Sequence, residues 1–207
     1  MSETAEPVID VPNLLVAIKH RRSLGLARLL PRDVEPYLIE TLLQAANWAP
    51  SHDETEPWRF TVFTRDGRAA LAEAFGAAYR AEYTGDRFQQ SAFDNYSERA
   101  WKAPVWISIG VSPQIRPDGS LQTSEEEEAL AVACAVQNLH LVASALGLAG
   151  MWNSKFPLTH ELVKDLVGLG PAEKLLGFFF LGWPTIAWPA GERRPISDKV
   201  KWVRECH

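Results

Sequence analysis

The sequence predicts a single domain in which α-helices alternate with β-strands around one core. The chain has 207 residues and a hydrophobic content of 46%, which is enough to enclose a sizeable core. Stretches with the helical period of apolar residues alternate with short runs rich in Phe, Val and Thr, which favour strands. No internal repeat or low-complexity tract interrupts this order. We therefore expect one folded domain over residues 11–207, preceded by a mobile segment over residues 1–10.

The charge and the cysteine content indicate a small-molecule partner and a reducing compartment. The formal net charge is -5, and the basic residues are scattered rather than gathered into a stripe, which argues against nucleic acid or an anionic membrane as the partner. Cys134 and Cys206 are too few for a disulfide framework or a zinc site. The acidic N-terminus carries no apolar stretch of signal-peptide length. We expect a cytoplasmic protein.

The first half of the chain contains three predicted helices and one strand. Asn13 is expected to cap the first helix and Asp33 the second, which Pro50 ends. Residues 84–104 are polar with interspersed aromatic side chains, which is typical of a surface excursion or a lid. The predicted elements are helices over 14–22, 34–49 and 68–83 and a strand over 58–64.

The second half begins with a strand and ends in an arm that leaves the core. A capping box between Ser124 and Glu127 starts a long helix, and Gly147 follows its end. Thr159 is expected to cap a shorter helix, and residues 184–207 resemble an arm more than a core element. The predicted elements are strands over 105–111, 150–154 and 175–184 and helices over 125–146 and 160–169.

The long helix is apolar on most of its faces. It contains Gln137, Asn138 and His140, so we do not expect it to span a membrane. A helix of this kind should be enclosed on all sides or shared with a second subunit. Of these two interpretations we favour a dimer interface.

A basic segment after the first helix is a candidate phosphate site. The glycine fingerprints for dinucleotides and nucleoside triphosphates are absent, as are the serine-hydrolase elbow and the His-Glu-x-x-His metal motif. Arg21, Arg22 and Ser23 remain, and two guanidinium groups with a hydroxyl suit a phosphate monoester on a polyhydroxyl chain. The same arginines could also merely complement the negative end of the helix, and the three residues by themselves leave both interpretations open.

The loop Ala49-Pro50-Ser51-His52-Asp53-Glu54-Thr55-Glu56-Pro57-Trp58-Arg59-Phe60 crowds charge and aromatic side chains between a helix and a strand. A lone loop histidine such as His52 is most often solvated or hydrogen-bonded. Asp53, Glu54 and Glu56 could form a metal cluster or an acid-base pair, but loop carboxylates at this spacing are more often solvated or capping groups. We expect no metal site.

Taken in order, these segments resemble the FMN-dependent nitroreductase family, and in particular its small YdjA-like members. The resemblance rests on RRS after the first helix, APS followed by PW and a strand, GLAGMWNS, an apolar strand ending in GWP, and a basic pair near the C-terminus. It spans about Leu14 to Trp202. The resemblance implies an α+β fold of three layers, with a mainly antiparallel sheet flanked by helices and a C-terminal arm that extends to the partner of a homodimer.

The resemblance also implies FMN at the subunit interface, with NADH or NADPH as electron donor. Arg21 and Arg193, with Arg194 as a further candidate, would bind the FMN phosphate, and Arg22 and Ser23 the phosphate or the ribityl chain. Pro50, Ser51 and His52 would lie against the flavin bound mainly by the partner chain. Asn153 and Ser154 would meet the polar edge of the flavin, and Trp152 would stack there or pack in the core. No residue is assigned a catalytic role.

The sequence departs from the family pattern at three positions. Glu54 and Glu56 stand where many members carry Asn and Gln. Gly25 stands where many carry Lys or Arg close to the flavin pyrimidine, so Arg28 or backbone donors would have to stabilise the reduced flavin.

The predicted function is an FMN-dependent oxidoreductase that transfers electrons from NAD(P)H to nitroaromatic, quinone or related acceptors by a ping-pong mechanism. The alternatives are a nitroreductase-fold flavoenzyme with another acceptor, through dehalogenation or ene reduction, and a flavin-binding module without turnover.

Overall fold

The structure is a computed structural model that describes residues 10–203. The predicted mobile segment and Cys206 therefore lie outside the described residues, apart from Asp10. Within this range the helices are α1 Val11–His20, α2 Pro36–Asn47, α3 Arg68–Glu82, α4 Gln90–Glu98, α5 Glu125–Ala145 and α6 Glu161–Leu166. The strands are β1 Trp58–Arg59, β2 Val62–Thr64, β3 Val105–Val111, β4 Ala149–Asn153 and β5 Lys174–Gly182.

The strands form one antiparallel sheet in the order β1-β3-β5-β4, and β2 also pairs with β3. Apart from Ser108 in β3 and Lys174 at the start of β5, the two central strands are apolar, because both faces of the sheet are covered. Along β3, Ile107 and Ile109 face one core, while Trp106 faces the other. Phe179 and Phe180 of β5 divide in the same way.

Helices cover both faces of this sheet and complete three layers. On one face, α2 and α5 pack together and contribute Leu42, Val132 and Leu139 to the core. On the other face, α3 and α6 supply Phe75 and Val163 to the second core. The three-layer α+β fold with a mainly antiparallel sheet is therefore confirmed.

Several predicted helix starts are wrong. Asp10 caps α1, because its Oδ1 accepts a hydrogen bond from the Asn13 backbone N–H at 3.1 Å. The second helix starts at Pro36 rather than after Asp33, since the residue before a proline is disfavoured in the helical region. His160, whose Nδ1 accepts from the Leu162 N–H at 3.2 Å, caps α6 in place of Thr159.

The predicted strand over 58–64 is divided into β1 and β2. Thr61 lies between them and pairs with Ser108, whose Oγ accepts from the Thr61 N–H at 2.8 Å. The segment 84–104, predicted as a surface excursion or a lid, contains the helix α4. Aromatic side chains of this segment pack around Tyr79 of α3, which holds α4 against the domain.

The long helix α5 follows its prediction closely. The capping box of Ser124 and Glu127 is present, and Gly147 adopts a φ of 78°, a left-handed conformation that glycine enters without strain. Among the described helices, α5 alone has the length and hydropathy to cross a bilayer, yet 50% of that stretch is buried inside the structure, as in a core helix. Leu130 and Cys134 remain on its exposed side.

Candidate functional site

A cleft of about 460 Å³ brings together the end of α1 and the C-terminal arm. Four basic side chains and no carboxylate line it: the lining residues are Ile18, Lys19, Arg21, Arg22, Gln137, Gly191 and Arg193. We call it the arginine cleft. Arg21 and Arg193 are 172 positions apart in the chain, and the fold places both on this one cavity.

Within the part of the chain that the structure describes, the charges of the arginine cleft have no anionic partner. Among residues 10–203 no carboxylate forms an ion pair with Arg21, Arg22 or Arg193. Burial first, and then the charges of Arg193 and Arg22, lower the pKa of the Arg21 guanidinium. Like charges held together in this way repel one another until an anion enters. The donor set therefore fits a phosphate group.

His140 of α5 orients Arg21 from behind. Its Nε2 lies 3.1 Å from the Arg22 carbonyl oxygen and its Nδ1 lies 3.4 Å from Nη1 of Arg21. The arginine can only donate, so Nδ1 accepts and Nε2–H donates, which requires the neutral ring. Burial, followed by the Arg21 charge, lowers the pKa of His140 to about 4. His140 was not predicted as a site residue, although a histidine inside an apolar helix already calls for a buried partner.

Arg22 lines the cleft and also binds the C-terminal arm. Its Nε donates to the Pro189 carbonyl at 3.0 Å, and its Nη1 donates to the carbonyls of Lys19 and Arg21 at 2.6 and 2.7 Å. A side chain at Gly191 would overlap the guanidinium, since an added Cβ there would meet Nη2 of Arg22 at 1.9 Å. Backbone carbonyl groups therefore occupy Nε and Nη1 of Arg22, and the predicted contact of this residue with the cofactor stays a prediction.

The other phosphate candidates are placed differently. Arg193 lines the cleft, whereas Arg194 does not, and the carbonyl of Arg194 accepts from Lys199 Nζ at 3.1 Å. Ser23 Oγ accepts from Arg21 Nη1 at 3.4 Å, and Ser23 forms a parallel bridge with Gly150. The RRS segment therefore lies beside the start of β4, as a ligand bound by both segments would require.

The β4 candidates are already engaged in part with the protein. Trp152 packs against the core of α2 and α5, and its Nε1–H donates to the Leu176 carbonyl at 3.1 Å. Asn153 Oδ1 accepts from the Lys155 N–H at 2.9 Å, while Ser154 is exposed. These contacts favour packing over flavin stacking for Trp152.

The loop over residues 49–60 is held rigidly at the start of α5. Thr55 Oγ1 donates to the buried Glu128 carboxylate at 2.7 Å, and Gln114 Nε2 donates to the Thr55 carbonyl at 3.1 Å. Three non-glycine residues nearby adopt positive φ angles of 51°, 52° and 43°: Asp53, Glu54 and Glu56. Backbone held in this region costs energy and recurs at binding sites.

The front of this loop is open to solvent. Pro50 is exposed, and the His52 side chain is 64% exposed with its Nε2 3.6 Å from Oδ1 of Asp53. Ser51 Oγ accepts from the Glu56 N–H at 3.1 Å. Within residues 10–203 no three His, Cys, Asp or Glu side chains converge to hold a metal.

Within one chain the loop and the arginine cleft are far apart. The loop is anchored at Glu128 and the arginines at His140, both on α5. Twelve residues of helix separate these two anchors, which corresponds to about 18 Å along the axis. One chain therefore does not bring Pro50, Ser51 and His52 to the arginines.

Comparison with known proteins agrees with this architecture. The sequence profile described as the nitroreductase family matches residues 18–183. A relative in Escherichia coli strain K12 that bears the name of an NAD(P)H nitroreductase, YdjA, is 25% identical over 148 residues, which are 72% of this chain and 76% of YdjA.

Two solved structures share the fold. A nitroreductase-like protein from Bacillus cereus has a TM-score of 0.77 and 24% identity, with 97% of this chain and 99% of that chain covered. The FMN-dependent nitroreductase NfnB from Mycobacterium smegmatis, solved in complex with NADPH, has a TM-score of 0.70 and 20% identity over 93% of this chain and 99% of its own. Because the family profile covers most of the chain and the three-layer fold carries its RRS segment into a cationic cleft, this protein belongs to the nitroreductase family.

Proposed function

We propose that this protein is an FMN-dependent oxidoreductase that transfers electrons from NADH or NADPH to small acceptors such as nitroaromatics and quinones. The observation that carries the proposal is the arginine cleft, in which guanidinium groups from two ends of the chain converge without a carboxylate. A phosphate monoester supplies the negative charge that the cleft lacks. FMN carries such a phosphate, and the structurally similar NfnB is an FMN-dependent nitroreductase. We expect the chain in the cytoplasm, where both nicotinamide donors are present.

The residues of the cleft have distinct parts in holding the cofactor. Arg21 and Arg193 donate charge-assisted hydrogen bonds to phosphate oxygens, which are stronger than bonds between neutral groups. His140 fixes the direction of Arg21, and Arg22 holds the arm so that Arg193 stays at the cleft. FMN, when bound, supplies the acceptance of a hydride and its delivery to the second substrate.

The protein need only place the substrates, so no side chain has to act as nucleophile or base. Donor and acceptor occupy the same space in turn, because each has to reach the same ring, and this alternation gives ping-pong kinetics. The exposed His52 and the half-buried Ser51 form part of the surface that excludes water from that space.

The complete site requires a second copy of the chain. No residue of α1 is buried, although Leu14, Leu15 and Ile18 are apolar and between 44% and 47% exposed. Leu130 on the outer side of α5 is 59% exposed. A homodimer that covers these helices would bury the apolar side chains and let the loop of one copy approach the arginine cleft of the other.

Anaerobic bleaching of the flavin tests the proposal. The purified protein should carry FMN, lose its visible absorbance when NADH or NADPH is added without oxygen, and regain it when a nitroaromatic or a quinone follows. A flavin that stays oxidised with both nicotinamides would contradict the enzyme and favour a binding module. A protein that cannot be reconstituted with FMN would contradict both. If the visible absorbance returned only with halogenated or ene substrates, the protein would still be an FMN-dependent oxidoreductase, but its acceptors would not be nitroaromatics or quinones.

A further inference from the structure

A second cavity, of about 600 Å³, lies between the segment that follows the RRS motif and the segment that follows α4. One wall is apolar and is formed by Leu26, Ala27, Leu29 and Pro31. The opposite wall is polar and aromatic and is formed by Asn95, Arg99, Trp101 and Lys102. Its volume lies within the range of small-molecule sites, and it contains two cations and no carboxylate.

Arg99 is the unusual member of this lining. Its Nε is buried without a hydrogen-bond partner, and among residues 10–203 its guanidinium forms no ion pair. Burial also lowers the pKa of this guanidinium. A partly buried charge that the protein leaves uncompensated is costly unless a ligand compensates it.

The residues around Arg99 indicate which other features a ligand of this cavity would have. Lys102 Nζ donates to the neutral Asn95 Oδ1 at 2.7 Å, so its positive charge remains available to the cavity. Trp101 is 44% exposed, and the Arg68 guanidinium lies 4.9 Å from the centre of its ring, which holds the indole at the cavity. An apolar wall facing an aromatic ring and two cations suits a planar hydrophobic body that carries one negative charge.

The position of the cavity links it to the arginine cleft. Its apolar wall begins at Leu26, three residues after Ser23. Gly25 lies between them, and apart from its chain neighbours no atom comes within 4 Å of the place where its side chain would begin. The segment thus carries no side chain at this position between its RRS residues and the apolar wall.

We propose that this cavity binds the carboxylate end of aromatic acids, with Arg99 as the residue that selects anionic over neutral acceptors. As a statement about acceptors the proposal rests on the proposed function, but binding to the cavity can be measured without turnover. It assigns a role to Arg99, which carried none in the sequence analysis, and it leaves Arg28, which is exposed and outside the cavity lining, without a ligand.

Two isosteric pairs test the proposal. In the first measurement, oxidised holoprotein is titrated with benzoate and with benzamide, and binding is monitored by tryptophan fluorescence and flavin absorbance. In the second, kcat/KM for 4-nitrobenzoate is compared with kcat/KM for 4-nitrobenzamide. Because a hydrogen bond to a charged group contributes more than a neutral one, we expect the anion to be favoured by about tenfold or more in both measurements. Arg99→Met should remove most of this preference, and Arg99→Lys should restore part of it. Arg87→Met, which removes an exposed charge outside the cavity lining, should retain the wild-type ratio.

The outcomes separate the two proposals. Equal binding of benzoate and benzamide to the wild-type protein would overturn the anion site. A loss of FMN affinity in Arg99→Met, with the benzoate preference intact in the remaining holoprotein, would assign Arg99 to the cofactor and overturn its selective role. If neither nitro compound is reduced but benzoate still binds more tightly through Arg99, the proposed function fails and the anion site is supported.

Discussion

The arginine cleft and the loop over residues 49–60 are built in opposite ways. In the cleft, cations from the end of α1 and from the arm converge, and no carboxylate is among the lining residues. Their charges therefore remain available for an anionic ligand. In the loop, Thr55 donates to the buried Glu128 carboxylate and its carbonyl accepts from Gln114, and a left-handed backbone is held in place. The cleft is thus organised to bind a ligand, whereas the loop is organised to present a fixed surface. Changes in the cleft should affect cofactor affinity, and changes in the loop anchor should affect stability.

Arg21→Ala should have the largest effect on cofactor affinity. Each charge-assisted hydrogen bond lost to the FMN phosphate should cost about 1.5 to 3 kcal/mol. Fluorescence titration of the apoprotein with FMN and with riboflavin measures this loss, because riboflavin has no phosphate and should be affected far less. The exposed Arg28→Ala serves as the matched control. If Arg21→Ala bound FMN as tightly as the wild type, the phosphate assignment would be wrong.

His140 should make stability depend on pH. Its pKa falls from 6.5 to about 4 on folding, so the unfolded chain binds more protons between these values and the folded form loses stability as the pH decreases. The loss from this group, over the interval from about pH 6.5 to 4, should be at most about 3 kcal/mol. Urea unfolding of the wild type and of His140→Gln across this interval measures it. Identical pH profiles for the two proteins would contradict a neutral His140 behind Arg21.

Thr55→Val should reduce stability rather than affinity for the phosphate. The substitution leaves the buried Glu128 carboxylate without its hydroxyl donor, which should cost about 1 to 3 kcal/mol. Thermal unfolding of the apoprotein and FMN titration of the same samples compare the two effects. The conservative Thr55→Ser should retain most of the stability. If Thr55→Val had normal stability but distinguished FMN from riboflavin less well than the wild type, the loop would contribute to phosphate binding rather than to stability.

Gly191→Ala should produce a smaller effect on the cleft. A methyl group there meets the Arg22 guanidinium, so the arm should be displaced from Arg22 while every charge is kept. We expect FMN affinity to decrease by several-fold, because the bond from Arg22 to Pro189 contributes about 1 kcal/mol. Gly67→Ala, at an exposed position where an added Cβ meets nothing within 4 Å, controls for a general effect of replacing glycine. Unchanged affinity in Gly191→Ala would mean that Arg22 does not position the arm.

The parts of the fold that local sequence determines were predicted well. The strand Val105–Val111 was predicted to the residue because it is a short apolar run between breakers, and the Ser124 capping box because its signal lies within four residues. The start of α2 was missed because Pro36 restricts the residue before it. The polar helix α4 was missed because its aromatic side chains pack on Tyr79, a distant residue that leaves no mark on the local pattern.

The same limit applies to the candidate site. The resemblance to the family identified Arg21 and Arg193, which the fold brings to one cavity. The roles of His140 and Arg22 could not be predicted, since the histidine bonds to a carbonyl 118 residues away and Arg22 to one 167 residues away. Arg99 was overlooked for the opposite reason, because its distinguishing property is a buried Nε that has no hydrogen-bond partner among the described residues.

A crystal structure of the protein with FMN tests the central claim most directly. We expect the phosphate within hydrogen-bond distance of Arg21 and Arg193 of one copy, and the ring system against Pro50, Ser51 and His52 of a second copy. An isolated protomer with the phosphate outside the arginine cleft, or a flavin enclosed by one chain alone, would contradict this account.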